Sequence, residues 1–117
     1  MPLSNGEQLR WQVGLAATDI TPEEPIRMGG YGSRVTPSAG VLDPLQAKAI
    51  ALEWPGGDRG VLITTDLIGI DAQFADVLLE AIGRRTGLAR RQIIINSSHT
   101  HAGPIFGIRY QQSWDLS

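Results

Sequence analysis

The sequence has no cysteine among its 117 residues. Disulfides and thiolate metal sites are therefore excluded, and the redox compartment is left open. No apolar run approaches the roughly 20 residues that a membrane-spanning helix needs. The N-terminal stretch MPLSNGEQLRWQ lacks the basic-then-apolar pattern of a secretory signal. As written, this predicts a cytoplasmic chain; a signal lying upstream would make it secreted or periplasmic. An excess of either charge is missing too. Ten Lys and Arg stand against twelve Asp and Glu, a formal net charge of −2, which gives no electrostatic case for binding nucleic acid or an acidic membrane. The basic cluster Arg84, Arg85, Arg90 and Arg91 reads as a solvated helix end and loop. There are no internal repeats, heptads or low-complexity tracts. G-x-S-x-G, Walker and G-x-G-x-x-G patterns are absent as well. MGGYG is glycine-rich, but no clear strand precedes it and no helix follows, which argues against a phosphate loop.

What is present is a globular composition, 42% hydrophobic and 19% charged, suited to one small domain or part of a larger one. WQVGLAATDI alternates roughly and predicts a strand, ended by Pro22 and Pro25. Residues 26–44 are rich in Gly, Pro and Ser and predict a long irregular loop, either lining a pocket or filling surface space. LQAKAIALEW and GVLITTDLIG flank the turn PGGD and predict a hairpin. The consecutive Val61, Leu62 and Ile63 predict a strand buried on both faces. Asp71 is placed to cap a helix whose apolar face is Phe74, Val77, Leu78, Ala81 and Ile82. Glu80 and Arg84 can pair across one turn, and Gly87 stops the helix. IIIN then predicts another buried strand. Strand, helix and strand over residues 60–98 predict a parallel, right-handed crossover. The fold class is therefore α/β, with a mixed sheet and at least one such crossover.

Histidine is scarce, and its placement is concentrated. Both histidines, His99 and His101, lie in NSSHTHAGP at residues 96–104. In open α/β sheets, sites form beyond the carboxyl ends of the strands. Asp66 ends one predicted strand and the histidine pair follows the other, so all three meet at one rim. In extended backbone, residues two apart project to the same face, so both imidazoles can enter one pocket. Zinc suits neutral imidazole; iron, manganese and nickel also accept it. Asn96, Ser98, Thr100 and Asp66 are candidate groups for holding the rings or lining the pocket, and Gly103 opens space where the strand ends. For Asp66, capping the following turn is the competing role. Two exposed, hydrogen-bonded histidines in a polar loop are the plainer alternative for the pair. Metallo-β-lactamase-like hydrolases and amidohydrolase barrels also use H-x-H, but no further His completes either pattern.

HTHAGP resembles the HTHSGP motif of the neutral/alkaline (non-lysosomal) ceramidase family. GLAATDIT is similar to that family's G-x-x-x-x-DIT segment, MGGYG to its M-x-GY loop, and TTDLIG to its T/A-D-L-G strand end. The likeness covers most of residues 13–104 in the family's order. Two departures stand out: Ala102 takes the place of the serine, and IFG that of the glycine after Gly-Pro.

The resemblance implies a Zn²⁺-dependent hydrolase of an N-acyl amide such as ceramide, with a small-molecule or lipid amide as substrate. It implies that His99 is the zinc ligand and His101 the catalytic histidine beside the scissile amide. The family's other ligands, a second His, a Glu and a Tyr, lie well downstream of the motif. Residues 10–117 are then expected to be the N-terminal portion of a hydrolase domain, cut short at its C-terminal side, behind a loose segment 1–9. Such a piece would be inactive alone and prone to self-association through open sheet edges. The alternative is a catalytically inactive chain acting as a weak metal-binding or interaction module. A dimer pooling four histidines is a third arrangement.

Overall fold

The computed structural model describes residues 9–105. The segment expected to be loose falls outside the described residues except for Leu9, as does the tail containing Trp114. The elements are β1 (Gln12–Asp19), β2 (Gln46–Glu53), β3 (Arg59–Thr65), α1 (Ala72–Thr86), a 3₁₀ turn (Arg90–Gln92) and β4 (Ile93–Ser97). The strands form one sheet in the order β1-β2-β3-β4. β1, β2 and β3 pair antiparallel, and β3 pairs β4 in parallel. The α/β class, the hairpin and the parallel pairing of the strands on either side of the helix are as the sequence predicts. No described helix is long and apolar enough to cross a membrane.

Local chemistry accounts for the crossover helix. The Asp71 carboxylate accepts from the Phe74 amide at 2.8 Å and caps the first turn. Gly87 takes the left-handed conformation, φ 74°, and its amide returns to the Gly83 carbonyl. A side chain at this φ would be strained, so the helix stops here. Glu80 and Arg84 do pair, at 3.7 Å on an exposed surface, an arrangement worth little. Arg90 bonds Asp76 at 2.7 Å and ties the 3₁₀ turn back to the helix.

Two burial expectations are corrected. Val77 is 55% exposed rather than part of the inward face. The covered stripe of α1 is rotated away from it, toward Ala75 and Leu79, which are half-buried with Phe74, Leu78 and Ile82. The Val61–Ile63 strand is not buried on both faces either. Register places Leu15, Ile50, Leu62 and Ile94 in one row across the sheet, and cross-strand partners share a face. On that face Leu15 is 79% and Ile94 63% exposed. On the opposite face Ile93 is buried, with Val61, Ile63 and Ile95 half-buried. The two faces therefore differ in coverage: one is shielded from solvent at β3 and β4, and the other is open. Among the described residues the buried apolar core is correspondingly thin, consisting of Leu67, Leu88 and Ile93.

Candidate functional site

The end of β1, the start of β2, and the ends of β3 and β4 meet at one rim of the sheet. Side chains lock this rim. The Thr21 amide donates to the Asp19 carboxylate at 2.7 Å, and the Thr21 hydroxyl accepts from the Leu45 amide at 2.8 Å. The Thr21 hydroxyl, followed by its amide, lowers the Asp19 carboxyl below the usual carboxylate value. Asp-Ile-Thr is thus a clasp joining the end of β1 to the start of β2. Thr65, at the end of β3, bonds the Asn96 carbonyl at 3.2 Å and the Ser97 hydroxyl at 3.0 Å, which ties β3 to β4.

Asp66 comes to the expected rim, and its carboxylate accepts the Gln46 amide at 3.0 Å. It caps the first residue of β2 rather than the turn that follows it. Asn96 accepts from the Ser97 amide at 3.0 Å, and the Thr100 hydroxyl accepts from the Ala102 amide at 3.1 Å. The Ser98 amide bonds the Thr65 carbonyl at 2.9 Å. These candidate residues therefore shape the backbone around the histidine pair. Gly103 is buried and donates no side chain; a Cβ there would press on Thr100 and on the Asp66 carbonyl, at 3.1 and 3.3 Å.

The two imidazoles do come together, by a route that differs from the expected one. β4 ends at Ser97, and His99 has φ 61°. The pair is therefore not carried on an extended strand. The left-handed conformation costs a non-glycine residue about 1–2 kcal/mol, and two bonds from the strand-end segment after β3 hold it in place. The His99 amide donates to the Leu67 carbonyl at 3.0 Å, and His99 Nδ1 lies 2.7 Å from the Ile68 carbonyl. A carbonyl only accepts, so Nδ1 carries the proton and Nε2 of the neutral ring presents its lone pair. That lone pair faces His101, whose Nε2 is 3.3 Å from His99 Nε2.

This donor set fits part of a zinc site. The group that fits is His99, whose Nε2 is left to present a lone pair once Nδ1 is held by the Ile68 carbonyl. A histidine ligand whose other nitrogen donates to a carbonyl is the usual way such a ring is oriented. Among the described residues, no group of three or more His, Cys, Asp or Glu gathers to complete a metal shell.

The 26–44 loop reaches the pair directly. The Gly29 amide bonds the Gly103 carbonyl at 3.0 Å, and Met28 bridges Pro104. Tyr31 meets the His101 ring edge-on, with centroids 5.1 Å apart and planes at 83°. Arg34 donates to the His101 carbonyl at 2.9 Å and to the Gly29 carbonyl at 3.3 Å. Reading the residues alone did not single out Tyr31, Arg34 or Ile68. For Tyr31 a signal existed in the MGGYG stretch; Arg34 and Ile68 carried none. The loop also encloses, with Ser98, Thr100 and Ala102, a cavity of about 530 Å³ that includes Ile26, Met28 and Leu42 in its wall.

No family model matches the chain. The chain is 30% identical over 95 residues to neutral ceramidase 2 of Arabidopsis thaliana, covering 79% of this chain and 12% of that protein. Its fold is similar to the crystal structure of neutral ceramidase from Pseudomonas aeruginosa, with a TM-score of 0.77 and 29% identity, over 86% of this chain and 17% of that one. The chain thus spans between about a tenth and a fifth of the length of these relatives. The resemblance carried by the four short motifs holds in both sequence and fold.

Proposed function

From this likeness to neutral ceramidases, we propose that the chain supplies the N-terminal, histidine-bearing portion of a zinc-dependent hydrolase acting on a lipid amide. Residues 10–117 are taken as that portion of the catalytic domain. The observation that carries the reading is the facing pair itself: His99 Nε2 and His101 Nε2 stand 3.3 Å apart, with the His99 tautomer set by Ile68.

In this reading His99 holds the zinc through Nε2, and zinc supplies Lewis acidity to the site. His99 contributes orientation, because both its amide and its Nδ1 are tethered to the 67–68 backbone. His101 contributes a mobile proton at Nε2. The same N–H that reaches toward His99 can donate to an amide carbonyl oxygen placed beside it, where negative charge develops during attack. It can equally hand a proton to the departing amine, the harder step for a poor leaving group. Asp66 and Thr65 keep the rim in register beneath the pair.

The test is a zinc titration of the chain followed by NMR. Its only two histidines give only two sets of imidazole signals. Zinc should move the His99 signals, and His99→Gln should abolish the effect. Ceramide hydrolysis by the chain, and by any longer product of the same gene, is then measured with and without a chelator. Signals indifferent to zinc would refute the ligand assignment.

A second reading, a catalytically inactive chain that binds metal weakly or serves as an interaction module, is favoured by one observation. Two imidazoles are gathered, with no third ligand among the described residues. Zinc binding without hydrolysis in every product of the gene would select it.

A further inference from the structure

Two residues of the 26–44 loop converge on His101 from different directions. Arg34 fixes its backbone, since the guanidinium donates to the His101 carbonyl at 2.9 Å and anchors itself on the Gly29 carbonyl at 3.3 Å. Tyr31 fixes its ring through the edge-to-face contact. The two also hold each other: the Arg34 guanidinium carbon lies 5.0 Å from the Tyr31 ring centroid, and the Arg34 amide closes a turn onto the Tyr31 carbonyl at 3.0 Å. Between them Gly30, at φ 106°, leaves the space that the His101 ring occupies.

We infer that Tyr31 and Arg34 are positioning residues for His101, clamping its peptide and its ring so that Nε2 points at His99. This rests on the reading of His101 as the working imidazole. A general acid must be held within hydrogen-bond reach of its target to be effective. His99 receives its hold from the 67–68 backbone, but those bonds do not reach His101. The loop gives His101 the hold that the 67–68 backbone gives His99. The clamp works through the face of the tyrosine ring and the fork of the guanidinium. The tyrosine hydroxyl has no part in it, and a lysine at position 34 offers a point charge in place of the fork.

The experiment uses the metal-free chain and reads the His101 ring protons by NMR, assigned with His99→Gln and His101→Gln. In the wild type, the Tyr31 ring current displaces the His101 signals, and an Overhauser effect links the two imidazoles. Tyr31→Leu should lose both the displacement and the inter-ring effect, while Tyr31→Phe keeps both. Arg34→Gln should lose the inter-ring effect. Methyl signals of Ile63 and Ile93, remote from the loop, report whether each variant is folded. Tyr31 is 57% exposed, so the Tyr31 pair gives a decision even where Arg34→Gln unfolds. The clamp is overturned if Tyr31→Leu retains the inter-ring effect, or if Tyr31→Phe loses it. No zinc and no substrate enter this measurement. A blank zinc titration therefore sinks the ligand assignment alone, and an inter-ring effect retained in Tyr31→Leu sinks the clamp alone.

Discussion

Asp66 and Gln46 are joined in both directions: the Asp66 amide donates to the Gln46 carbonyl at 3.0 Å, and the Asp66 carboxylate accepts the Gln46 amide at 3.0 Å. This closed ring sits where β2 begins and β3 ends, directly beneath the segment that holds His99. Replacing Asp66 with Ala leaves a half-buried amide without its acceptor, a loss of about 1–3 kcal/mol. Asp66→Asn retains an oxygen acceptor and should cost less. Urea unfolding ranks the two variants, and amide exchange at Gln46 locates the damage. Equal stability of wild type and Asp66→Ala would show that water replaces the carboxylate at no cost.

The clasp at Asp19 makes a pH prediction. Its carboxyl is held below the usual value, first by the Thr21 hydroxyl and then by the Thr21 amide. A lowered folded-state value means that the charged form is favoured by folding. The contribution is complete above the ordinary carboxylate pKa and is lost as pH falls through the lowered one. Thr21→Val removes the hydroxyl, and the Asp19 carboxyl should titrate closer to its ordinary value. A ¹³C titration of the Asp19 carboxyl is the direct check; an unchanged midpoint in Thr21→Val would contradict the assignment.

Gly30 is the tightest point of the His101 cradle. A Cβ at this position would overlap the His101 ring, and φ 106° is a conformation that side chains rarely adopt. Gly30→Ala should therefore displace the imidazole and cost about 1 kcal/mol or more. Its readout is the loss of the inter-ring Overhauser effect, with the signals of β3 and β4 unmoved. An intact effect would mean that the loop yields more easily than its contacts suggest.

The helix supplies a paired control. Asp71→Ala removes a side-chain cap and should cost about 1 kcal/mol. Glu80→Ala breaks an exposed pair and should change stability by less than about 0.5 kcal/mol. Thermal melts of the two variants separate them, and equal losses would mean that the cap is not specific to helix stability.

The uncovered sheet face is the place to look for association. Leu15→Lys and Ile94→Lys alter residues already open to solvent, and each should change stability by no more than about 0.5 kcal/mol. Ile93→Ala, on the covered face of the same strand, should cost about 2–4 kcal/mol. If this apolar face drives self-association, sedimentation at raised concentration will show smaller species in the Lys variants than in the wild type. Identical profiles would direct attention to the strand edges instead.

Much of this architecture is written locally. The hairpin follows from alternation on either side of PGGD, and the helix boundaries follow from Asp71 and Gly87, each acting within a few residues of itself. That His99 and His101 lie at the rim beyond β4 follows from their position just after a strand. The manner of their meeting does not. His99 turns left-handed because the Leu67 and Ile68 carbonyls, more than 30 residues earlier, receive its two donors, and no window around NSSHTHAGP contains them. Arg34 meets the His101 carbonyl across 67 residues, which hides it for the same reason. Val61 to Ile63 shows a different limit. A short apolar run looks the same whether one or both of its faces are covered, because coverage depends on what else packs there.

The left-handed backbone of His99 has a consequence for anyone improving this protein. At φ 61° a glycine is more comfortable than an imidazole, so a screen that rewards heat resistance alone has reason to accept His99→Gly. A screen that rewards zinc retention, the role proposed for His99, would discard it. Position 99 is where those two pressures part, and a library sorted for heat resistance and for zinc retention tests the proposed role with no substrate needed.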